Sequence, residues 1–187
     1  YVLDKTSLTG TGTITKRALT LGAVAAQTKT YDGTTAADAG KFSAGLNNTV
    51  AGDSVTATAA GATYNSKDVA AANTVSYTGV ALGGVDAGNY SLAETAAQGT
   101  GTITRRALTF DAVASQSKTY DGTTAADASK FGAVLNNVVA GDSVTATAAG
   151  ATYNSKNVAA AHRIDYTGVA LAGTDAGNYS LAATTAQ

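Results

Sequence analysis

The chain has 187 residues, a formal net charge of −1 at pH 7 and no cysteine. The lack of cysteine excludes disulfides, thiolate nucleophiles and cysteine-ligated zinc or iron–sulfur centres. Lys and Arg are scattered and balanced by acids, which argues against a nucleic-acid partner, and there is no run of about 18 apolar residues, so no membrane insertion of this segment is predicted.

An internal repeat organises the whole chain. The nonapeptide TYDGTTAAD at residues 30–38 returns unchanged at residues 119–127, and about four in five of the aligned positions are identical. Tyr31 recurs as Tyr120, 89 positions later. A solenoid repeat has about 20 to 50 residues, whereas a period of this length is sufficient for a domain with its own core. The predicted boundaries are residues 1–15 for the last strands of a preceding repeat, 16–104 for repeat 1, and 105–187 for repeat 2, which lacks its final strand.

Most of repeat 1 shows the alternation of apolar and polar residues that is typical of half-buried β-strands. In chain order, the predicted strands are ALTLGAV (18–24), SVTATAAGATY (54–64), TVSYTGVAL (74–82), NYSLAET (89–95) and GTGTIT (99–104). The alternation changes phase at Gly79, which predicts a bulge or bend. The segment AADAGKFSAGLNN (36–48) lacks clear alternation, and we expect a helical turn there.

The passage from repeat 1 to repeat 2 contains no flexible linker. The segment TGTITRRALTF (100–110) has no spacer rich in glycine and serine, and its alternation runs through the boundary. Flexible linkers need such spacers. We therefore expect the last strand of repeat 1 to continue almost directly into the first strand of repeat 2.

The pentapeptide DAGNY carries the most information about the fold. Its signature residues are Asp86, Gly88 and Tyr90 in repeat 1, and Asp175, Gly177 and Tyr179 in repeat 2. An Asp-x-Gly-x-Tyr sequence before a strand resembles the tyrosine corner of immunoglobulin-like sandwiches, in which the tyrosine hydroxyl bonds to the backbone of a nearby turn. We predict an all-β fold of tandem Ig-like β-sandwich domains arranged end to end. β-Grasp-like domains are the alternative, because of the helical turn expected in residues 36–48.

The YDG tripeptide has the residue types of a small sugar site, an acid beside an aromatic ring. Its residues are Tyr31, Asp32 and Gly33 in repeat 1, and Tyr120, Asp121 and Gly122 in repeat 2. Asp-Gly is also a strong turn dipeptide, in which the carboxylate accepts hydrogen bonds from the amide of Thr34 or Thr35 while the tyrosine packs. Because each repeat must make the same turn, we interpret YDG as a structural signature.

Candidate catalytic and metal sites are weak on chemical grounds. The recurring acids lie in turn-like segments and form no marked pair for glycoside chemistry, so we predict no enzyme activity and no catalytic residue. His162 is the only histidine, which disfavours a transition-metal site. Calcium is the one cofactor considered, with weak candidate ligands at Asp86, Asn89, Asp175 and Asn178.

A Lys–Asn or Lys–Asp isopeptide bond is a further alternative for stiffening each repeat. Lys29, which recurs as Lys118, is one of the candidate lysines. Such a bond needs a buried acid beside the reacting pair, and the single glutamate, Glu94, has Ala183 as its counterpart. The isopeptide is therefore disfavoured.

An ordered series of motifs resembles a known family. KTYDGTTAAD, VAGDSVTATA, YNSKDVAA, DAGNYSL and GTITKRALT together are similar to the YDG-type repeat domain of large bacterial surface proteins, including filamentous-haemagglutinin-like adhesins. The resemblance covers essentially the whole chain, in two copies and the remnant of a third. It implies an all-β tandem array located outside the cell, at the bacterial surface.

The favoured hypothesis for function is a structural one. The repeats are expected to form the stalk of an adhesin that projects a distal binding region from the cell surface, with neighbouring repeats of the same chain as their partners. In the alternative, the repeats themselves bind a glycan or a host or matrix protein, or self-associate in biofilm. The differences between the repeats at residues 73–76 and 162–165 are compatible with a tuned contact surface or with drift on a solvated face.

Overall fold

The computed structural model describes Ser7 and residues 9–182. The predicted all-β class is confirmed: apart from four single 3-10 turns, the regular elements of the described part are strands. The strands of repeat 1 are β1 (Arg17–Val24), β2 (Gln27–Thr30), β3 (Ala44–Asn47), β4 (Thr56–Thr58), β5 (Gly61–Tyr64), β6 (Thr74–Thr78), β7 (Ala81–Gly83), β8 (Tyr90–Leu92) and β9 (Ala96–Thr104). Those of repeat 2 are β10 (Arg106–Val113), β11 (Ala133–Asn136), β12 (Thr145–Thr147), β13 (Gly150–Tyr153), β14 (Ile164–Thr167), β15 (Ala170–Ala172) and β16 (Tyr179–Leu181).

The strands form small mixed sheets. In repeat 1 the sheet orders are β3-β1-β8, β4-β7 and β2-β9-β6-β5, and in repeat 2 they are β11-β10-β16, β12-β15 and β13-β14. The pairs β1–β8 and β2–β9 are parallel, whereas β1–β3 and β4–β7 are antiparallel. Immunoglobulin sandwiches have antiparallel sheets, so these parallel pairs are an addition to the predicted pattern.

The helical turn expected in residues 36–48 is the 3-10 turn Ala39–Lys41. The carboxylate of Asp38 caps it by accepting the amide hydrogen of Gly40 at 2.9 Å, as short polar side chains do at helix starts. This single turn is too short to cross a sheet. The feature that favoured the β-grasp alternative is therefore present only as a local turn.

The predicted strand SVTATAAGATY is two strands, β4 and β5, which belong to different sheets. The break at residues 59–60 lies opposite the bend predicted at Gly79, which has a φ of +62°. The amide of Ala60 donates to the carbonyl of Thr78 at 3.0 Å, so the two chains stay paired where they turn. Alternation alone did not predict the break because the pattern continues through it. The residues between the strands are small alanines that fit either conformation.

The core of each repeat is built from aromatic and β-branched side chains. In repeat 1, Tyr64, Val75, Tyr77 and Ile103 are at most 2% exposed. In repeat 2, buried Tyr166 and Val169 pack with partly buried neighbours that include Phe110, Phe131 and Ile164. Ring pairs recur, with centroids 4.9 Å apart for Phe42 and Tyr77 and 5.0 Å for Phe131 and Tyr166.

The strands meet almost directly where repeat 1 passes into repeat 2, as the sequence predicts. β9 ends at Thr104, β10 begins at Arg106, and one residue separates them. Grouped by contacts, the described chain forms two compact units. One contains the described residues up to 25 with 38–62 and 76–99, and the larger one contains residues 26–37 and 63–75 with those from 100 onward. The larger compact unit thus joins repeat 2 with the YDG segment of repeat 1.

The structure describes only part of the two end segments, residues 1–15 and the end of repeat 2. Residues 9–16 form no strand, although residues 10–15 repeat the GTGTIT of β9. Residues 1–6 and 8, predicted to belong to the same remnant of a preceding repeat, lie outside the described residues, as do residues 183–187 of repeat 2.

One prediction concerns the turn at Gly84. Its φ is +102°, and a Cβ there would overlap the carbonyl oxygen of Ser54, whereas a Cβ at Gly88 would meet nothing within 4 Å. Gly84→Ala is therefore expected to lower the free energy of unfolding by about 3 kcal/mol. The matched variant Gly88→Ala should change it by less than about 0.5 kcal/mol. Urea unfolding followed by circular dichroism measures both, and equal effects of the two variants would contradict this account of the turn.

Candidate functional site

The YDG segment forms the turn that its Asp-Gly dipeptide predicts. The Oδ1 atom of Asp32 accepts hydrogen bonds from the amide and the hydroxyl of Thr34, both at 2.9 Å. Gly33 has a φ of +78°, in the left-handed region where glycine carries no steric penalty. In repeat 2, Asp121 and Thr123 make the same bonds at 2.9 and 3.0 Å. The carboxylate therefore organises its own backbone.

Lysine holds each turn closed. The ammonium of Lys29 donates to Oδ1 of Asp32 at 2.7 Å and to the carbonyls of Thr34 and Ala36 at 2.8 and 2.9 Å. Burial alone would raise the pKa of the Asp32 carboxyl, but the hydrogen bonds from Lys29 and Thr34 outweigh burial and lower it. In repeat 2, the hydrogen bond from Lys118 is the main cause that lowers the pKa of Asp121 to about 2. These acids are therefore ionised at neutral pH.

Tyr31 is buried against repeat 2. It has no exposed surface, and its hydroxyl donates to Oδ2 of Asp142 at 2.8 Å. Its ring meets that of Tyr179 edge to face, with centroids 5.3 Å apart and planes inclined by 75°. Such edge contacts stabilise by about 0.5 to 1.5 kcal/mol beyond the burial of area. We call Tyr31, Asp142 and Tyr179 the joint cluster, and all three belong to the larger compact unit.

The Asp142 carboxylate accepts from both phenols of the joint cluster. The Tyr179 hydroxyl donates to the same Oδ2 at 2.5 Å and accepts from the amide of Val139 at 3.0 Å. Burial and the nearby Asp142 charge raise the pKa of Tyr31, and the same causes raise that of Tyr179 to about 12. Both hydroxyls stay protonated at neutral pH, so they act as donors to the carboxylate.

The DAGNY tyrosine bonds differ in one respect from the tyrosine corner that the sequence suggests. The Tyr90 hydroxyl accepts a hydrogen bond from a backbone N–H, as expected, but the donor is the amide of Val50, forty positions upstream. The same hydroxyl donates to Asp53. Asp86 accepts the amide hydrogen of Ser54 at 2.7 Å. The motif thus holds the loop of residues 50–54 in place. Its tyrosine hydroxyl and aspartate carboxylate bond to residues of that loop rather than to residues of their own turn.

Asn178 forms a second contact between the sequences of the two repeats, also within the larger compact unit. Its Oδ1 accepts the amide hydrogen of Val69 at 2.9 Å, and its Nδ2 donates to Asp68 at 3.1 Å. The side chain is buried, with 6% of its surface exposed, whereas the counterpart in repeat 1, Asn89, is exposed. Lys67 adds an ion pair with Asp175 at 3.9 Å, which is half-exposed and therefore weak.

Three of the four candidate calcium ligands make side-chain hydrogen bonds within the protein, whereas Asn89 is exposed. Asp86 and Asp175 accept the amide hydrogens of Ser54 and Ser143, and Asn178 bonds to the backbone of residue 69. Among the described residues, no group of three or more His, Cys, Asp or Glu side chains converges as a metal site would require. In Asp86, Asp175 and Asn178, a side-chain oxygen that the sequence offers as a ligand accepts a hydrogen bond from a backbone amide.

Sequence reasoning identified Tyr31 and Tyr179 as signature residues but did not connect them through Asp142. Asp142 and its counterpart Asp53 each follow a glycine, and a Gly-Asp dipeptide by itself indicates only a turn. A buried phenol needs a hydrogen-bond partner, and this need is the signal that points to a recurring acid elsewhere in the chain. The contrast within the chain is strong, because Tyr120 is 60% exposed although its sequence context is identical to that of Tyr31.

One prediction concerns the stability at alkaline pH. The pKa of Tyr179 is raised in the folded protein to about 12, above the ordinary value of about 10. Its contribution to stability is therefore fully present below about pH 10 and is lost as the pH rises towards 12. Tyr179→Phe should make the fall in the free energy of unfolding across this window shallower, measured by urea unfolding at each pH. The matched variant Tyr120→Phe should leave the slope unchanged, and an unchanged slope for Tyr179→Phe would be evidence against the buried phenol.

Comparison with known proteins agrees with the repeat. A family model for the YDG domain matches twice, over residues 15–97 and residues 104–186. No curated protein matches the chain, and no solved structure does. The two matches cover most of the sequence and fall on the two copies defined by the internal repeat, so the chain belongs to the YDG domain family, of which it carries two tandem copies.

Proposed function

We propose that the chain is a spacer segment of an extracellular bacterial adhesin, whose repeats form a stalk that projects a distal binding region from the cell surface. The observation that carries the proposal is the buried Tyr31, which bonds to Asp142 of the following repeat while its counterpart Tyr120 is exposed. A residue of one repeat that is buried against the next repeat is suited to joining repeats in series.

The chemistry of the joint supports a mechanical role. One residue separates β9 from β10, and the joint cluster and Asn178 fix the segments on either side. Relative motion is the usual expectation for consecutive domains unless their interface is extensive. A short connection with a buried aromatic pair opposes such motion. Each added repeat would then increase the length of the stalk.

Further support comes from what the recurring polar residues do. The acids of the YDG and DAGNY motifs bond to amides of their own repeat, and those of the YDG motif also bond to lysine, in both repeats alike. The same residues therefore build the fold of each copy, which is the behaviour of a modular stalk.

Among the described residues, no helix has the length and apolar character to span a bilayer.

A second candidate is that the repeats bind a ligand themselves, such as a glycan or a host or matrix protein. It is favoured by the segment of residues 162–165, where repeat 2 departs from repeat 1. His162 and Arg163 are exposed there, and Arg163 pairs with Asp165 at 3.0 Å. This segment is a charged surface that repeat 1 lacks at the same place.

Small-angle X-ray scattering of the chain, extrapolated to zero concentration, tests the spacer role. A compact protein of this length has a radius of gyration of about 16 Å. Because a ten-residue strand spans about 33 Å, two repeats in series are expected to give a value on the order of 20 Å or more. Tyr31→Ala should broaden the distance distribution by loosening the joint, whereas the matched variant Tyr120→Ala should not.

A compact value for the wild-type chain would overturn the spacer proposal. The binding alternative has its own readout, which is a glycan array and immobilised matrix proteins probed with the same chain. Binding that Arg163→Thr abolishes, with an unchanged scattering profile, would favour the alternative, since that substitution restores the residue of repeat 1.

A further inference from the structure

The first and last strands of repeat 1 lie side by side and run in the same direction. β1 is parallel to β8 over three residue pairs, beginning with Arg17 opposite Tyr90. β2 is parallel to β9 over four residue pairs, ending with Thr30 opposite Thr104. Two residues separate β1 from β2, and three separate β8 from β9. The N-terminal part of the repeat is thus paired with its C-terminal part in two different sheets.

The direction of the strands decides how these pairs respond to tension along the chain. Tension draws β1 and β2 towards the N terminus, and it draws β8 and β9 towards the C terminus. Because the paired strands are parallel, the two pulls act in opposite directions along each ladder, and all hydrogen bonds of the ladder carry the load together. In an antiparallel hairpin the two pulls act at the same end, so the bonds break one after another.

β1 and β9 are central strands, so each is held on both sides. β1 lies between β3 and β8, and β9 lies between β2 and β6. Their side chains Leu19 and Ile103 are each 1% exposed. A Cβ added at Gly101 would lie 2.7 Å from Val75 and 2.9 Å from Tyr64, so β9 also packs closely on the core. Removal of either strand therefore breaks two ladders and exposes apolar surface to water.

Further hydrogen bonds extend the β2–β9 pair at the end of β9. The amide of Tyr31 donates to the carbonyl of Thr104 at 2.9 Å. The Thr104 hydroxyl donates to the carbonyl of Lys29 at 3.3 Å. These bonds connect the last residue of β9, through which tension leaves the repeat, to the segment that forms the YDG turn.

The first parallel pair is present in repeat 2 with the same register. β10 is parallel to β16, with Arg106 opposite Tyr179 and Leu108 opposite Leu181. Leu108 is buried, as is its counterpart Leu19. The parallel pairing of the first strand is therefore a property of the repeat and not of a single copy.

We propose that the pairs β1–β8 and β2–β9 form a load-bearing clamp, which makes the repeat resist unfolding when the chain is stretched from its two ends. Short connections join β1 to β2 and β8 to β9, so tension along the chain acts on both ladders. The proposal goes beyond the spacer role, which concerns distance, and it holds whether or not the repeats form a stalk. A compact scattering profile would leave the clamp intact, and a weak clamp would leave an extended profile unchanged.

Single-molecule force spectroscopy of the full chain, with two alternative pairs of attachment points, tests the clamp. The chain has no cysteine, so introduced cysteines carry the handles at chosen positions. Lys16→Cys with Arg105→Cys stretches repeat 1 along the chain and loads both parallel pairs in shear. Lys16→Cys with Asn89→Cys pulls β1 and β8 apart from the end at which both begin, and so peels them. All three residues are exposed and lie outside the strands.

At the same loading rate, the unfolding force for attachment at residues 16 and 105 should exceed that for residues 16 and 89 by about two-fold or more, because the bonds of each ladder break together and not in turn. The chain length released between residues 16 and 105, on the order of 300 Å, identifies the unfolding of repeat 1. An equal or lower force for residues 16 and 105 would refute the clamp.

Two leucine substitutions separate the clamp from general stability. Leu19→Ala removes a buried side chain from β1 and is expected to lower the unfolding force measured between residues 16 and 105. Leu82→Ala makes the same change in β7, outside both parallel pairs, and should leave that force within the scatter of the wild type. An equal loss of force in the two variants would contradict the assignment of the load to β1. The comparison of attachment points needs neither variant, so it stands even if one of them folds poorly.

Discussion

The structure depends on one buried interaction, in which the Tyr31 hydroxyl donates to Asp142 while its ring lies edge to face on Tyr179. Each of the three residues has a counterpart in the other repeat, and the interaction joins Tyr31 of repeat 1 to Asp142 and Tyr179 of repeat 2. Burial of a phenol without a partner is costly, whereas a charged acceptor makes the same burial favourable. The YDG motif is therefore both a local turn and one half of a joint, and its sequence is constrained by both roles.

Strand β9 has a similar double role. It closes the four-stranded sheet of repeat 1 and then leads through one residue into β10 of repeat 2. The glycine at position 101 allows it to lie against Tyr64 and Val75. Folding of each repeat and succession of the repeats thus use the same piece of chain.

Much of this architecture could be predicted from the sequence. The period of the repeat, the all-β class, the bend at Gly79, the turn at Asp32 and the direct passage at Arg105 follow from local patterns. The split of residues 54–64 into β4 and β5 could not, because alanine-rich alternation continues across the break. Parallel pairing and the partner of Tyr31 are contacts between distant segments, which periodicity within one segment does not encode. Identical sequences at Tyr31 and Tyr120 differ in burial, so the determining factor lies outside the motif.

A double-mutant cycle between Tyr31 and Asp142 tests the central interaction most directly. The variants Tyr31→Phe and Asp142→Ala and their combination are compared with the wild type by urea unfolding, and Tyr120→Phe with Asp142→Ala serves as the matched cycle. We expect a coupling free energy of about 1 to 3 kcal/mol for Tyr31 with Asp142, and a value within about 0.5 kcal/mol of zero for Tyr120 with Asp142. Additive effects of Tyr31→Phe and Asp142→Ala would contradict the account.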